Sequence, residues 1–171
     1  MGHISQRCPD MWGLRIRRHD RLVKFICGRL KQIGMRTIME PTIPTSAGIR
    51  KPDLVCWNKS TGAWVLDAQV ISDSAAGPLS AGHVRKVDYY NCPEIKEYVA
   101  RVSSVPESQV KHSSITINWR GCWCSQSVRD LQRLGIKRSD LTLQSVRTLE
   151  DTSFMFNIRR RKRGNIGKPL S

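Results

Sequence analysis

The chain reads as an α/β protein in which one mixed β-sheet is covered by helices on both faces. Three observations predict it: a helical apolar stripe near the start, three strand-like runs after it, and then helix, strand and two more helices in turn. At 171 residues the length suits one domain with a sizeable core.

Over residues 17–34, Leu22, Ile26, Leu30 and Ile33 share one helical face, Val23 and Cys27 widen it, and Gly34 stops it. Residues 1–14 show no periodicity. Residues 36–43 read as a strand ended by Pro41 and Pro44, and 45–48 as a loop. A second strand covers 53–57, and the turn-rich stretch 58–62 joins it as a hairpin to a third at 63–71. That third strand is apolar at nearly every position, so it is read as central and buried. A small-residue loop at 72–78 feeds a helix at about 80–90; Pro93 interrupts, and 94–102 continues helically. Residues 113–119 alternate as a fourth strand with Ile115 and Ile117 on one face. Residues 125–134 and 141–156 are helical, capped by Ser125 and Asp140. Trp57 and Trp64 are expected to pack together, and Trp12, Trp119 and Trp123 to lie in the core. The domain is set at 1–158, with a basic tail at 159–171 expected to be disordered.

The composition, 39% hydrophobic and 25% charged, excludes a disordered chain. No apolar run approaches the roughly 20 residues of a membrane span, and the start lacks a signal-peptide core, so no membrane partner is expected. Six cysteines without a secretion signal read as reduced thiols, Cys27 and Cys56 as small hydrophobes. Cys122-Trp123-Cys124 lacks a second pair at zinc-finger spacing. The net charge is +15, distributed as +7 over residues 1–50, −1 over 51–100, +4 over 101–150 and +5 over 151–171. Such an excess points to a polyanionic partner, nucleic acid first. The acidic middle is the anomaly, because carboxylates beside phosphates repel them unless a divalent cation intervenes.

Lys51-Pro52-Asp53 places one carboxylate at the start of a strand, and Asp67 lies within the next. Alternation puts Asp67 and Gln69 opposite Leu66, Ala68 and Val70, and a hairpin can set Asp53 beside Asp67. Two converging carboxylates favour a hard cation. Mg²⁺ suits one or two carboxylates with phosphate oxygens and water, and it acidifies bound water. On the following helix His83, Lys86 and Tyr90 are spaced i, i+3, i+7 and share a face. The lysine can polarise water or neutralise transition-state charge, and the other two can orient a phosphate. The competing view is structural: a buried acid with a partner, beneath a solvated helix face.

Lys-Pro-Asp, then Asp, then His-x-x-Lys-x-x-x-Tyr resembles the restriction-like endonuclease domain of R2-type non-LTR retrotransposons, in the PD-(D/E)xK nuclease superfamily. The likeness runs from about His19 to Asn157 and includes Asn118-Trp119-Arg120-Gly121. It implies a restriction-endonuclease-like mixed-sheet core, αβββαβ, with a C-terminal helical extension. By resemblance, Asp53 and Asp67 ligate Mg²⁺, with Mn²⁺ able to substitute, Lys86 is the catalytic lysine and Tyr90 supports it. The wider superfamily has lysine two residues after the second acid, where this chain has Gln69; the retrotransposon group supplies it from the next helix. Glu40 is a possible extra carboxylate.

The resemblance further implies a metal-dependent DNA endonuclease that nicks its target by phosphodiester hydrolysis, so that the freed 3′-hydroxyl primes reverse transcription. The partners would be double-stranded target DNA, the element RNA and the reverse transcriptase part of the same polyprotein, with no small-molecule cofactor and a nuclear location. The chain then reads as an excised C-terminal domain. Arg50, Lys51, His83, Arg85 and Arg120 flank the proposed site as DNA contacts. The run at 159–163 reads either as a localisation or phosphate-binding patch or as a solvated tail. Two alternatives stay open: a catalytically inactive DNA-binding module of the same fold, and a structure-selective junction resolvase.

Overall fold

The computed structural model describes residues 11–72 and 78–165, with side chains as far as residue 160. Helix α1 (Trp12–Gln32) buries the expected stripe through Leu22, Val23, Ile26, Cys27 and Leu30. It begins before residue 17 because its first turn is held by a long-range contact rather than by the stripe. Met11 packs against Met155, with Leu14 and Ile158 beside them.

Strand β1 (Arg36–Met39) stops short of residue 43. Glu40 takes a left-handed φ of 48° and donates its N–H to the Asp53 carbonyl at 3.0 Å, and Pro41 has no N–H with which to continue a ladder. The stretch from 43, expected as a strand end and a loop, is instead a small hairpin of β2 (Ile43–Thr45) and β3 (Gly48–Arg50). Strands this short carry too little alternation to be seen in sequence. Ile43 is buried in the core, and Ser46 N–H donates to Glu94 Oε1 at 2.8 Å.

Strand β4 (Leu54–Asn58) pairs antiparallel with β5 (Gly62–Ile71), Leu54 opposite Leu66. Helices α2 (Leu79–Tyr90) and α3 (Pro93–Ser103) and a short turn lead to β6 (Val110–Asn118), which runs parallel to β5 with Asp67 opposite Ser114. The sheet order is β1-β4-β5-β6, so β5 is internal, as its apolar composition predicts. Helices α4 (Ser125–Arg133) and α5 (Arg138–Asn165) complete the described chain.

One face of the mixed sheet packs on α1, α4 and the start of α5, through Leu54, Leu66, Ile115 and Ile117 against Leu22, Ile26, Leu131 and Leu141. The other packs on α3 and the end of α2, through Val55, Val65 and Val110 against Tyr90, Ile95 and Val99. The two-faced α/β arrangement is therefore as expected. Among the described residues no helix is long and apolar enough to cross a membrane.

Four expectations need correction. Trp57 pairs with Ala63 and Trp64 with Cys56, so the two indoles have opposite parity and sit in different cores. Trp119 is buried, but Trp12 is 64% exposed because α1 overhangs the sheet there. Neither proposed cap operates: Cys124 precedes α4 without a side-chain hydrogen bond, and Asp140 lies inside the first turn of α5, paired with Arg29 at 2.9 Å. The last helix runs past residue 156 to Asn165, so 159–163 is helical backbone and not the opening of a disordered tail; residues 166–171 lie outside the described residues.

Candidate functional site

The β4–β5 register places Asp53 one step beyond the Leu54–Leu66 pair, at the level of Asp67. Pro52 has no N–H and ends the ladder, and the Asp53 side chain takes over: its Oδ2 accepts the Ala68 N–H at 2.6 Å. Asp53 therefore stands at the lip of the sheet. Asp67, inside β5, is buried, with its side chain 5% exposed.

Burial and the neighbouring Asp53 charge both raise the Asp67 pKa, while Lys86 and Tyr90 pull against them. Lys86 comes from α2, and its Nζ lies 2.6 Å from Asp67 Oδ2. Tyr90, one turn on, donates to the Lys51 carbonyl at 3.0 Å and also reaches the Asp67 carboxylate. Burial and the adjacent carboxylates push the Tyr90 phenol above its ordinary value, so it acts as a protonated donor. It braces the segment before Asp53 against the helix that delivers Lys86.

His19 was not singled out from the sequence. It reaches the site from α1 on the opposite face, with Nε2 3.2 Å from Asp53 Oδ2. Hydrogen bonding to Asp53, against the opposing cost of burial, raises His19 to about 9, so it is an imidazolium at neutral pH. Two carboxylates thus face two cations. Its only sequence signal is phase: it lies on the α1 apolar stripe three residues before Leu22.

The other residues singled out in sequence divide clearly. His83 does face the sheet with Lys86 and Tyr90, but it is buried at 6% exposure, and its Nδ1 lies 2.8 Å from Ser114 Oγ and 3.2 Å from Ser127 Oγ. Burial lowers its pKa, and the structure does not present it as a group to orient phosphate. Gln69 donates from Nε2 to Thr116 Oγ1 at 2.8 Å, so the position where the superfamily carries lysine is bonded into the sheet. Arg50 donates to the Tyr89 carbonyl and lies over the Tyr89 ring at 4.4 Å, tying β3 to α2. Lys51 and Arg85 are exposed, and Arg120 stacks on Trp119 at 4.8 Å. Glu40 is exposed on its turn.

Among the described residues no three His, Cys, Asp or Glu side chains converge as a metal cage. The Asp53–Asp67 pair nevertheless fits one kind of ion. It offers hard oxygen donors and mutual repulsion, which suits Mg²⁺ held by two carboxylates with substrate oxygens and water.

No family model matches the chain. Its similarity is to proteins of mobile genetic elements, the Pol polyproteins of R2 retrotransposons. The Retrovirus-related Pol polyprotein from type-2 retrotransposable element R2DM of Drosophila melanogaster is 33% identical over 78% of this chain and 12% of its own length. That of type-1 retrotransposable element R2 in Nasonia vitripennis is 29% identical over 91% of the chain and 15% of its own. That of Bradysia coprophila is 33% identical over 78% and 15%. The chain therefore corresponds over most of its length to a small segment of these relatives. Among solved structures, a protein of unknown function, AF1548, aligns with 80% of the chain at 10% identity and a TM-score of 0.31, too low to bear on the fold.

Proposed function

We propose that the chain is the restriction-like endonuclease segment of an R2-type retrotransposon polyprotein, a PD-(D/E)xK nuclease that nicks DNA by phosphodiester hydrolysis. The observation that carries the reading is Asp53 and Asp67 at one level of a hairpin, with Lys86 2.6 Å from Asp67. Asp53 and Asp67 would hold Mg²⁺, for which Mn²⁺ can substitute. When bound, the ion supplies a more acidic water and compensates charge on the phosphate.

The remaining steps belong to the chain. Lys86 is 32% exposed on its side chain, so its ammonium can turn from Asp67 toward a phosphate oxygen. Tyr90 keeps Asp67 and the Lys51 carbonyl in register with α2. His19 holds Asp53 from the other face of the sheet. Lys51, Arg85 and Arg120 are the phosphate contacts of this reading, and Arg50 contributes from its place over Tyr89. The target is double-stranded DNA in the nucleus, and the nick primes reverse transcription of the element RNA by the polymerase part of the same polyprotein.

A DNA-binding module without catalysis is the second reading, favoured by one observation. Lys86 and His19 already balance both carboxylates, an arrangement that needs no metal.

Supercoiled plasmid incubated with the chain, with Mg²⁺ or with EDTA, and in parallel with Asp67→Ala and Asp53→Ala, separates the two. Nicking that needs Mg²⁺ and disappears in both variants is the expected outcome. Cleavage retained in both would sink the nuclease assignment, and DNA binding without nicking under any divalent metal would favour the module.

A further inference from the structure

The face of α1 that brings His19 to Asp53 does not end there. Trp12, Arg15, Ile16 and His19 follow the spacing i, i+3, i+4, i+7, and the same stripe continues inward through Leu22, Val23, Ile26 and Leu30. From Leu22 onward the stripe is buried on the sheet. Before His19 the stripe is left open among the described residues: Ile16 is 44% and Trp12 64% exposed, with Arg15 stacked over the Trp12 ring at 5.1 Å.

The overhang is firmly held. On its other side Met11 is fully buried against Met155, and Arg18 Nη1 donates to Thr152 Oγ1 at 3.0 Å. Two apolar side chains are thus fixed in solvent on a helix with seven basic residues and one acidic. Counting the helical rise from His19, Ile16 is about 4.5 Å and Trp12 about 10 Å along the axis. That is a span of about one to three nucleotides from a phosphate at the acids, at about 3.4 Å per nucleotide.

Duplex DNA offers charged phosphates and largely polar groove edges, with thymine methyls and sugar faces as small apolar spots; its extended apolar surface is the base faces, open only where bases are unstacked. We propose that Trp12 and Ile16 form a stacking ridge for unpaired bases of the DNA strand beside the scissile phosphate, with Arg15 holding the indole plane and adding positive charge. The proposal rests on the nuclease reading for what lies at the acids. The charge of the helix and its unbroken phase into the site favour nucleic acid over protein as the occupant.

The test is fluorescence-anisotropy binding, in EDTA, of a blunt duplex and of the same duplex carrying a short bubble, using the chain, Trp12→Ala and Ile16→Ala. Trp12→Ala is expected to weaken bubble binding about tenfold, Ile16→Ala less, and both to leave the blunt duplex within about twofold. Because both side chains are exposed, unchanged thermal melting should accompany the loss. Equal affinity of the unsubstituted chain for both DNAs would overturn the proposal. So would an equal loss on both DNAs, or wild-type DNA binding by Trp12→Ala. Loss of self-association in Trp12→Ala with DNA binding intact would assign the ridge to a protein contact and also overturn it. Plasmid nicking by the unsubstituted chain is scored separately. A chain that fails to nick yet shows the bubble effect loses the nuclease reading and keeps the ridge as a DNA contact.

Discussion

At Asp67 the cost of burying a carboxylate governs the local structure. A charge so enclosed requires a partner, and Lys86 supplies it from α2, with its own side chain 32% exposed. The histidines show the same rule with different signs. Burial, aided by Lys96, lowers His112 to about 4. Below about pH 6.5 the unfolded chain takes up a proton that the native state refuses. Stability from this group is therefore complete above pH 6.5 and lost as the pH falls toward 4. His83 acts in the same direction. His19, raised to about 9, runs the opposite way, its contribution complete below 6.5 and lost as the pH climbs through 9. The expected loss through His112 is about 2–3 kcal/mol. Urea melts of the chain and of His112→Gln at neutral and mildly acidic pH test it, and parallel slopes in the two proteins would refute it.

At the scale of elements, turns decide where side chains go. Glu40 and Pro41 end β1 and lock the approach to Asp53, and Pro52 ends the ladder so that the Asp53 carboxylate replaces a backbone acceptor. The turn after β6 is equally strict. Asn118 Oδ1 accepts the N–H groups of Arg120 and Cys122, and Gly121 sits at φ 79° with the place of a Cβ 2.7 Å from the Ser145 carbonyl oxygen. The run Asn118-Trp119-Arg120-Gly121 thus has a physical meaning: only glycine lets this turn pass under α5. Gly121→Ala should cost about 3 kcal/mol, combining left-handed strain with a backbone clash. Thermal melting measures it, and an unchanged midpoint would mean that α5 yields.

For the whole molecule, the charge of +15 governs, on the proposed nuclease reading, how it would meet DNA. Affinity for duplex should fall linearly on a log–log plot against salt, with a slope of about −0.9 per phosphate neutralised. Arg85 is exposed on α2, the helix of Lys86. Arg85→Gln should make that slope shallower by about one contact while weakening all sequences alike. An unchanged slope, measured by anisotropy across a salt series, would remove Arg85 from the interface. The chain spans 12–15% of the length of its first relatives, so selection of a particular target falls, in our reading, to the larger protein.

Sequence by itself determined what depends on short periods. Alternation of two placed Asp67 opposite its apolar neighbours, the turn at 58–62 paired β4 with β5 and so set Asp53 level with Asp67, and helical spacing aligned His83, Lys86 and Tyr90. The same periodicity marked the stripe of α1. Only the tertiary structure decided which parts of that stripe have a sheet beneath them, because the edge of the sheet is set by pairings between distant segments. Hence His19 meets Asp53 across 34 residues, His83 is withdrawn under Ser114, and Trp12, apolar and in phase with the core, stands in solvent. A helical period states which residues share a face; what that face meets is settled by chain closure.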